Sequence, residues 1–179
     1  MNAIEQWLTE NEVQRKTRQL PPQHLYVLLD CAADKELPEC VLNLDKQAKR
    51  HSLFGTTPLA EIADAGPFLI EINRNTAVFA YLLAKMSKQP WGYFILSHHA
   101  IEALSNRLQV YLNAQMPDGK NYLFRFYDPR VMFNQLRVLS DERLSSLIGQ
   151  GNFFVLPEFE GLHWLSVNHQ GVIQKLSRF

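Results

Sequence analysis

The hydrophobic positions of the chain follow two alternating patterns. Short, nearly continuous apolar runs, typical of strands covered on both faces, occur at HLYVLLD (24–30), PFLIEI (67–72) and WGYFIL (91–96). The segments between them carry apolar residues at helical spacing, as in Val78, Phe79, Leu82, Leu83 and Met86. An alternation of strands and helices favours an α/β architecture with at least some parallel strand pairing.

Helix-start signals support this division of the chain. A first amphipathic helix carries Ile4, Trp7 and Leu8 on one face, and another is predicted over about 38–50. Residue types that favour the N-terminal capping position precede the predicted helices at Asn2, Thr57, Asn75 and Ser97. The helix after Thr57 has Pro58 at its first position and Gly66 after its end.

The C-terminal third has a different order of elements. A turn at 116–120 leads into the stretch 121–132, which begins as a strand, and two helices at about 129–139 and 141–148 form a small lobe. FFVL and LHWLSV then face each other across PEFEG (157–161) as a hairpin. We therefore predict a single α/β domain over residues 1–179, with a mixed β-sheet flanked by helices on both faces.

Composition limits the classes of function. The chain has 179 residues, is 46% hydrophobic, and balances 18 basic against 18 acidic residues, so a basic nucleic-acid-binding surface is not expected. Its longest apolar stretch, which contains VFAYLLA, is far shorter than the roughly 20 residues of a membrane span. The N-terminal segment carries three glutamates and no long apolar run, unlike a secretory signal. A cytoplasmic protein without nucleic-acid or membrane partners is expected.

The segment NYLFRFYDPRVM (121–132) places charges among aromatic and aliphatic residues. Strand alternation would put Phe126 on one face and Arg125 and Tyr127 on the other. Asp128 precedes a proline and is predicted to cap the next helix. Arg125 then needs a carboxylate partner, and Asp30 and Asp128 are the candidates. A structural ion pair is favoured over a catalytic one.

Catalytic chemistry has little support in the sequence. The chain has no G-x-S-x-G, Walker or G-x-G-x-x-G motif, and His98 and His99 have no third ligand at a metal-binding spacing. Cys31 is interpreted as a small buried thiol rather than a nucleophile. We predict no catalytic residue, metal or cofactor. The alternative is a small hydrolase or transferase that uses strand-end carboxylates, since Asp30, Ser97 and Asp128 are all expected at strand ends, where ligands bind in open α/β sheets.

Several stretches together resemble the type VI secretion adaptor family, also called effector chaperones. They include YVLLDCA, SLFGTTPLAEIADAGPFLIEI, the long segment from PWGYFIL to DPRVM, and FFVLPEFEGLHW, in matching order over about residues 24–167. The most specific element is RFYDPR, supported by GPFLI and PDGK. Cys31 stands where the family pattern usually has glycine. A partner-binding or structural motif is expected at Asp30, Arg125, Phe126, Tyr127, Asp128, Pro129 and Arg130.

The resemblance implies a non-enzymatic role in the bacterial cytoplasm. Such an adaptor binds the N-terminal region of one cognate secreted effector and helps to load it onto the spike protein of the secretion apparatus. The aromatic residues Trp91, Tyr93, Phe94, Phe153, Phe154 and Trp164 are expected to be mostly core, with some available to line a groove for an apolar effector segment.

Overall fold

The computed structural model describes residues 3–43, 46–115, 118–158 and 163–176. Within these ranges, six α-helices are present: α1 Ala3–Thr17, α2 Leu37–Asn43, α3 Ala77–Met86, α4 Ile101–Gln109, α5 Pro129–Val138 and α6 Asp141–Ile148. Short 3₁₀-helices span Ala60–Ala65 and Val110–Leu112. The strands are β1 His24–Asp30, β2 Arg50–Ser52, β3 Pro67–Glu71, β4 Gly92–Ser97, β5 Asn113–Gln115, β6 Asn121–Leu123, β7 Phe153–Glu158, β8 His163–Asn168 and β9 Ile173–Leu176.

Seven of the described strands form one sheet, in the order β2-β3-β1-β4-β7-β8-β9. The remaining two, β5 and β6, pair with each other as a separate ribbon. Helices cover both faces of the sheet, so the predicted α/β class is confirmed. The predicted hairpin is also present as β7 and β8, although residues 159–161 of its PEFEG turn lie outside the described ranges. Strand β9 was not predicted by the hydrophobic pattern.

Every pairing among the described strands is antiparallel, so the expected parallel pairing is not found. The reason lies in the position of β1. Strands β3 and β4, joined by α3, both pair antiparallel with β1 and therefore run in the same direction. Because β1 lies between them, these two strands do not pair, and the helical crossover produces no parallel ladder.

The side chains of each central strand alternate between two apolar layers. One layer joins Val27 and Leu29 of β1 to the buried residues of α1 and α3, among them Trp7 and Phe79. The opposite layer joins Tyr26 and Leu28 to residues of α4, α5 and α6: Leu104, Leu108, Met132, Leu144, Leu147 and Ile148. Burial of β1 from both sides explains its continuous apolar run.

Two helix starts differ from the sequence prediction. Thr76, not Asn75, caps α3, and its hydroxyl accepts the N–H of Phe79. Helix α4 follows Ala100, which makes no side-chain cap. Ser97 instead ends β4, and its hydroxyl accepts the N–H of His99 at 3.0 Å. Several polar residues precede each helix, so the sequence predicts that a helix begins there but not which residue caps it.

Two predicted helices are shorter than expected. The described part of the 38–50 prediction is helical only up to Asn43, and Arg50 begins β2. The helix after Thr57 is the 3₁₀-helix Ala60–Ala65, which Gly66 follows as predicted, while Pro58 lies outside it. Among the remaining predicted features, Asn2 and residues 44–45 and 116–117 lie outside the described ranges.

Candidate functional site

The Arg125–Arg130 motif is a turn and a helix start rather than a strand. Strand β6 ends at Leu123, and the N–H of Asp128 donates to the carbonyl of Arg125 at 3.0 Å, which closes a turn. Phe126 and Tyr127, predicted to point to opposite faces, are both buried. The alternation fails because a turn, unlike a strand, can direct two successive side chains into the same core.

A buried tyrosine of the central sheet fixes this turn. The hydroxyl of Tyr93, on β4, donates to the carbonyl of Phe126 at 3.1 Å. Tyr93 is fully buried, and burial raises the pKa of its hydroxyl well above the ordinary value, so the group remains a donor. The ring of Phe54 meets that of Tyr127 edge to face. Sequence reasoning placed Tyr93 in the core but did not identify its partner.

Asp128 caps helix α5, as predicted. Its Oδ1 accepts the N–H of Arg130 at 2.9 Å, and Pro129 occupies the first helical turn, where a missing N–H costs no hydrogen bond. The carbonyl of Asp128 accepts the N–H of Met132 at 2.9 Å. The aspartate therefore caps the helix through both its side chain and its carbonyl.

Arg130 adds a second set of bonds to the same carboxylate. Its Nε donates to Oδ1 of Asp128 at 3.0 Å and its Nη2 to Oδ2 at 2.8 Å, a bidentate arrangement. Burial alone would raise the pKa of Asp128, but the side-chain and backbone hydrogen bonds from Arg130 outweigh it and hold that pKa below the ordinary value. The carboxylate is thus held in its charged form. The residue pattern alone did not predict the pairing of Arg130 with Asp128.

The partner of Arg125 is Asp30. Nη2 of Arg125 lies 2.6 Å from Oδ2 of Asp30 and 3.9 Å from Oδ2 of Asp128, so the guanidinium lies between two buried carboxylates and bonds to one. Burial would lower the pKa of Arg125, but its hydrogen bond to Asp30 and the attraction of the nearby negative charges, Asp30 first, together outweigh burial and raise that pKa. The Arg125 side chain is 42% exposed, whereas that of Asp30 is 1% exposed. We call Asp30, Arg125, Asp128 and Arg130 the motif network.

The surroundings of Asp30 also fix its position. Its N–H donates to the carbonyl of Trp91 at 2.7 Å, and its Oδ1 accepts the N–H of Ala32 at 3.2 Å. The adjacent Cys31 is buried, and burial together with the Asp30 and Cys40 charges raises the pKa of its thiol to about 12. The thiol is therefore protonated at neutral pH, in agreement with its interpretation as a core residue.

The structure does not bring the three strand-end groups of the enzyme alternative together. Because β1 and β4 are antiparallel, Ser97 pairs with His24, at the opposite end of β1 from Asp30. Asp30 and Asp128 do approach each other, with Arg125 between them.

The remaining candidates are the two adjacent histidines and the aromatic residues considered for a groove. The rings of His98 and His99 lie 4.1 Å apart, and the described part of the chain contains no group of three side chains able to hold a metal. Burial and the neighbouring His98 lower the pKa of His99. Five of the six aromatics considered for a groove are buried in the core: Trp91, Tyr93, Phe94, Phe154 and Trp164. The sixth, Phe153, packs partly buried against it.

The chain belongs to the family described as a domain of unknown function, DUF4123, whose model matches residues 25–146. The match covers more than half of the chain and includes the whole motif network. No curated protein and no solved structure matches the chain. Within the described ranges, no helix has the length and apolar character needed to cross a bilayer.

Proposed function

We propose that this protein is a non-enzymatic adaptor, or effector chaperone, of a bacterial type VI secretion system. In this role it binds the N-terminal region of one cognate effector in the cytoplasm and helps to load it onto the spike protein. Support comes from the resemblance over about residues 24–167 and from the internal ion pairs formed by its most specific motif, RFYDPR.

The observation that carries the proposal is the internal pairing of the motif network. Both buried carboxylates bond to arginines of the same chain, Asp30 to Arg125 and Asp128 to Arg130. The network joins the end of β1 to the start of α5 and holds the intervening turn against Tyr93. Such internal pairing is what we expect of a structural motif in an adaptor.

The same geometry disfavours an enzyme that uses strand-end carboxylates. A general acid at neutral pH needs a raised carboxyl pKa, whereas that of Asp128 is lowered. The Cys31 thiol is far from the depressed pKa of an activated nucleophile. These properties favour the adaptor over the hydrolase or transferase.

The β5–β6 ribbon offers a surface for an apolar effector segment. Tyr122 and Leu123 on β6 are 49% and 42% exposed, and Val110, shortly before β5, is 74% exposed. Among the described strands, β5 and β6 pair only with each other, so each has an outer edge able to accept an added strand. Covering apolar side chains of both partners would contribute about 25 cal/mol per Å² removed from water.

Co-expression with a large effector encoded next to this gene tests the proposal. We expect the two proteins to co-purify at low and at moderate salt, because apolar burial is screened far less than charge pairing. In a strain lacking the adaptor, we expect effector abundance and secretion to fall. Undiminished effector secretion in that strain would contradict the proposal, as would turnover of a small substrate by the purified protein.

A further inference from the structure

A groove of about 480 Å³ lies beside the motif network. Its size falls within the roughly 300–1,000 Å³ of typical ligand sites. Helix α5, the segment before β4 and the end of β7 line it, through Lys88, Pro90, Arg130, Phe133, Asn134, Arg137, Pro157 and Glu158.

The described lining of this groove is predominantly basic. It contains three cations, Lys88, Arg130 and Arg137, and one carboxylate, Glu158. The described lining residues include no aspartate, and the Asn134 amide is uncharged. The one carboxylate is itself paired, since Oε2 of Glu158 lies 3.4 Å from Nζ of Lys175. None of the ion pairs between described residues involves Lys88 or Arg137. Because Asp128 neutralises Arg130, the local positive charge of the described lining comes mainly from Lys88 and Arg137, on a chain whose formal net charge is zero.

Two of the cations are held in defined positions. Asp128 binds Nε and Nη2 of Arg130, and no hydrogen bond between described residues uses its Nη1, which leaves donors for another acceptor. The guanidinium of Arg137 lies over the ring of Phe133, 4.9 Å from its centroid. Guanidinium groups ordered in this way lose less side-chain entropy when they bind a carboxylate.

The walls between these cations are apolar. Pro90, Phe133 and Pro157 supply ring surfaces, whereas Lys88, Asn134 and Arg137 are exposed to solvent. Small molecules are usually held by burial of most of their surface. A groove with exposed cations along its rim suits a peptide segment, whose chain continues into solvent at both ends.

We propose that this groove binds an acidic segment of a partner protein. Carboxylates of the segment pair with Arg130, Arg137 and Lys88, while an apolar side chain packs on the Phe133 ring and the flanking prolines. The inference rests on the proposed function for the partner's identity, the effector or the spike protein, but its chemistry can be measured separately.

Fluorescence anisotropy with a short labelled peptide of alternating glutamate and leucine residues tests the groove directly. The comparison peptide carries glutamine in place of every glutamate. We expect the acidic peptide to bind more tightly and its binding to weaken with salt. Arg137→Glu should weaken binding about tenfold or more, since it replaces a charge-assisted bond with repulsion. Lys88→Glu should act in the same direction.

Arg143→Glu is the matched control, because Arg143 is exposed on α6 and does not line the groove. The Arg143→Glu variant should bind the acidic peptide as tightly as the unmodified protein does. Thermal melts should show that this variant and the Arg137→Glu and Lys88→Glu variants are folded. Equal binding of both peptides, or equal loss in the Arg143→Glu and Arg137→Glu variants, would overturn the inference. Tighter binding of a labelled duplex DNA than of the acidic peptide would overturn the choice of a peptide as occupant.

Pull-down of the co-expressed effector and spike protein separates this inference from the proposed function. If both partners bind the Arg137→Glu variant as well as they bind the unmodified protein, the groove inference fails and the adaptor role stands. If the effector neither binds the unmodified protein nor depends on it for secretion, the adaptor role fails, while the peptide measurements still decide whether the groove takes an acidic segment.

Discussion

Arg125 and Asp30, separated by 95 positions in the sequence, form an ion pair in which Nη2 lies 2.6 Å from Oδ2. The pair links the end of β1 to the turn that precedes α5. Its two ends differ in environment, since the Arg125 side chain is 42% exposed and that of Asp30 is 1% exposed. The arginine thus neutralises a buried charge while its own guanidinium remains in partial contact with water.

Removal of Arg125 should therefore destabilise the fold by leaving the Asp30 carboxylate without its charged partner. We expect Arg125→Ala to lower the free energy of unfolding by about 2 kcal/mol, below the cost of breaking a fully buried pair because water reaches the guanidinium. Urea unfolding measures this, with Arg143→Ala as an exposed control. Unchanged stability combined with lost effector binding would instead assign Arg125 to an interface.

Substitutions of Asp128 should distinguish a helix cap from a catalytic carboxylate. Asp128→Ala removes the cap at a cost of about 1 kcal/mol, and the half-exposed pair with Arg130 adds at most about another 1 kcal/mol. Asp128→Asn keeps a capping oxygen and should cost less. Thermal melts and effector-loading assays on both variants test this. Loss of function in Asp128→Asn with full stability would indicate a chemical role.

The lowered pKa of Asp128 predicts how stability changes in acid. A carboxyl whose folded-state pKa lies below its unfolded value contributes stability that is complete above the unfolded pKa, about 3.9 for aspartate. The contribution is lost as the pH falls through the folded pKa. The stability difference between the unmodified protein and Asp128→Asn should thus stay constant above about pH 5 and shrink below about pH 4. Unfolding curves over this pH range test the sign.

Gly92 should not tolerate a side chain. It pairs with Leu29 in the centre of the sheet, and a Cβ at this position would lie 1.9 Å from the carbonyl oxygen of Leu28. We expect Gly92→Ala to destabilise the protein by about 3 kcal/mol or more, because the sheet backbone must move. Gly55→Ala, whose Cβ would meet its nearest atom at 3.5 Å, is the control. Similar urea midpoints for the two variants would contradict this account.

The exposed apolar side chains of the β5–β6 ribbon should contribute more to effector binding than to the free energy of unfolding. A Tyr122→Ser, Leu123→Ser double variant removes exposed apolar surface, so its unfolding free energy should change by no more than about 0.5 kcal/mol per site. Its effector complex should be weakened. Val13→Ser, at a comparably exposed position on α1, controls for general loss of apolar surface. If the ribbon double variant and Val13→Ser retain the effector equally well, the ribbon is not part of the binding surface.

Several local features could be predicted from the sequence because their causes are local. Asp128 caps α5 because an aspartate before a proline is held in extended geometry next to a helix start. The runs at 24–30, 67–72 and 91–96 correspond to β1, β3 and β4, with boundaries shifted by a residue at most. Burial from both faces produced their continuous apolar pattern.

The tertiary structure alone decided which distant groups meet. The sequence left Asp30 and Asp128 open as partners of Arg125, and neither spacing nor residue type distinguishes them. The path of β1 brings Asp30 to the guanidinium at 2.6 Å, while the turn keeps Oδ2 of Asp128 at 3.9 Å and Arg130 binds that carboxylate instead. Strand direction is likewise non-local: placing β1 between β3 and β4 makes the pairings antiparallel and puts Ser97 far along the sheet from Asp30. Local patterns specify the elements through short-range sterics and hydrogen bonds, whereas partner choice depends on contacts between residues tens of positions apart.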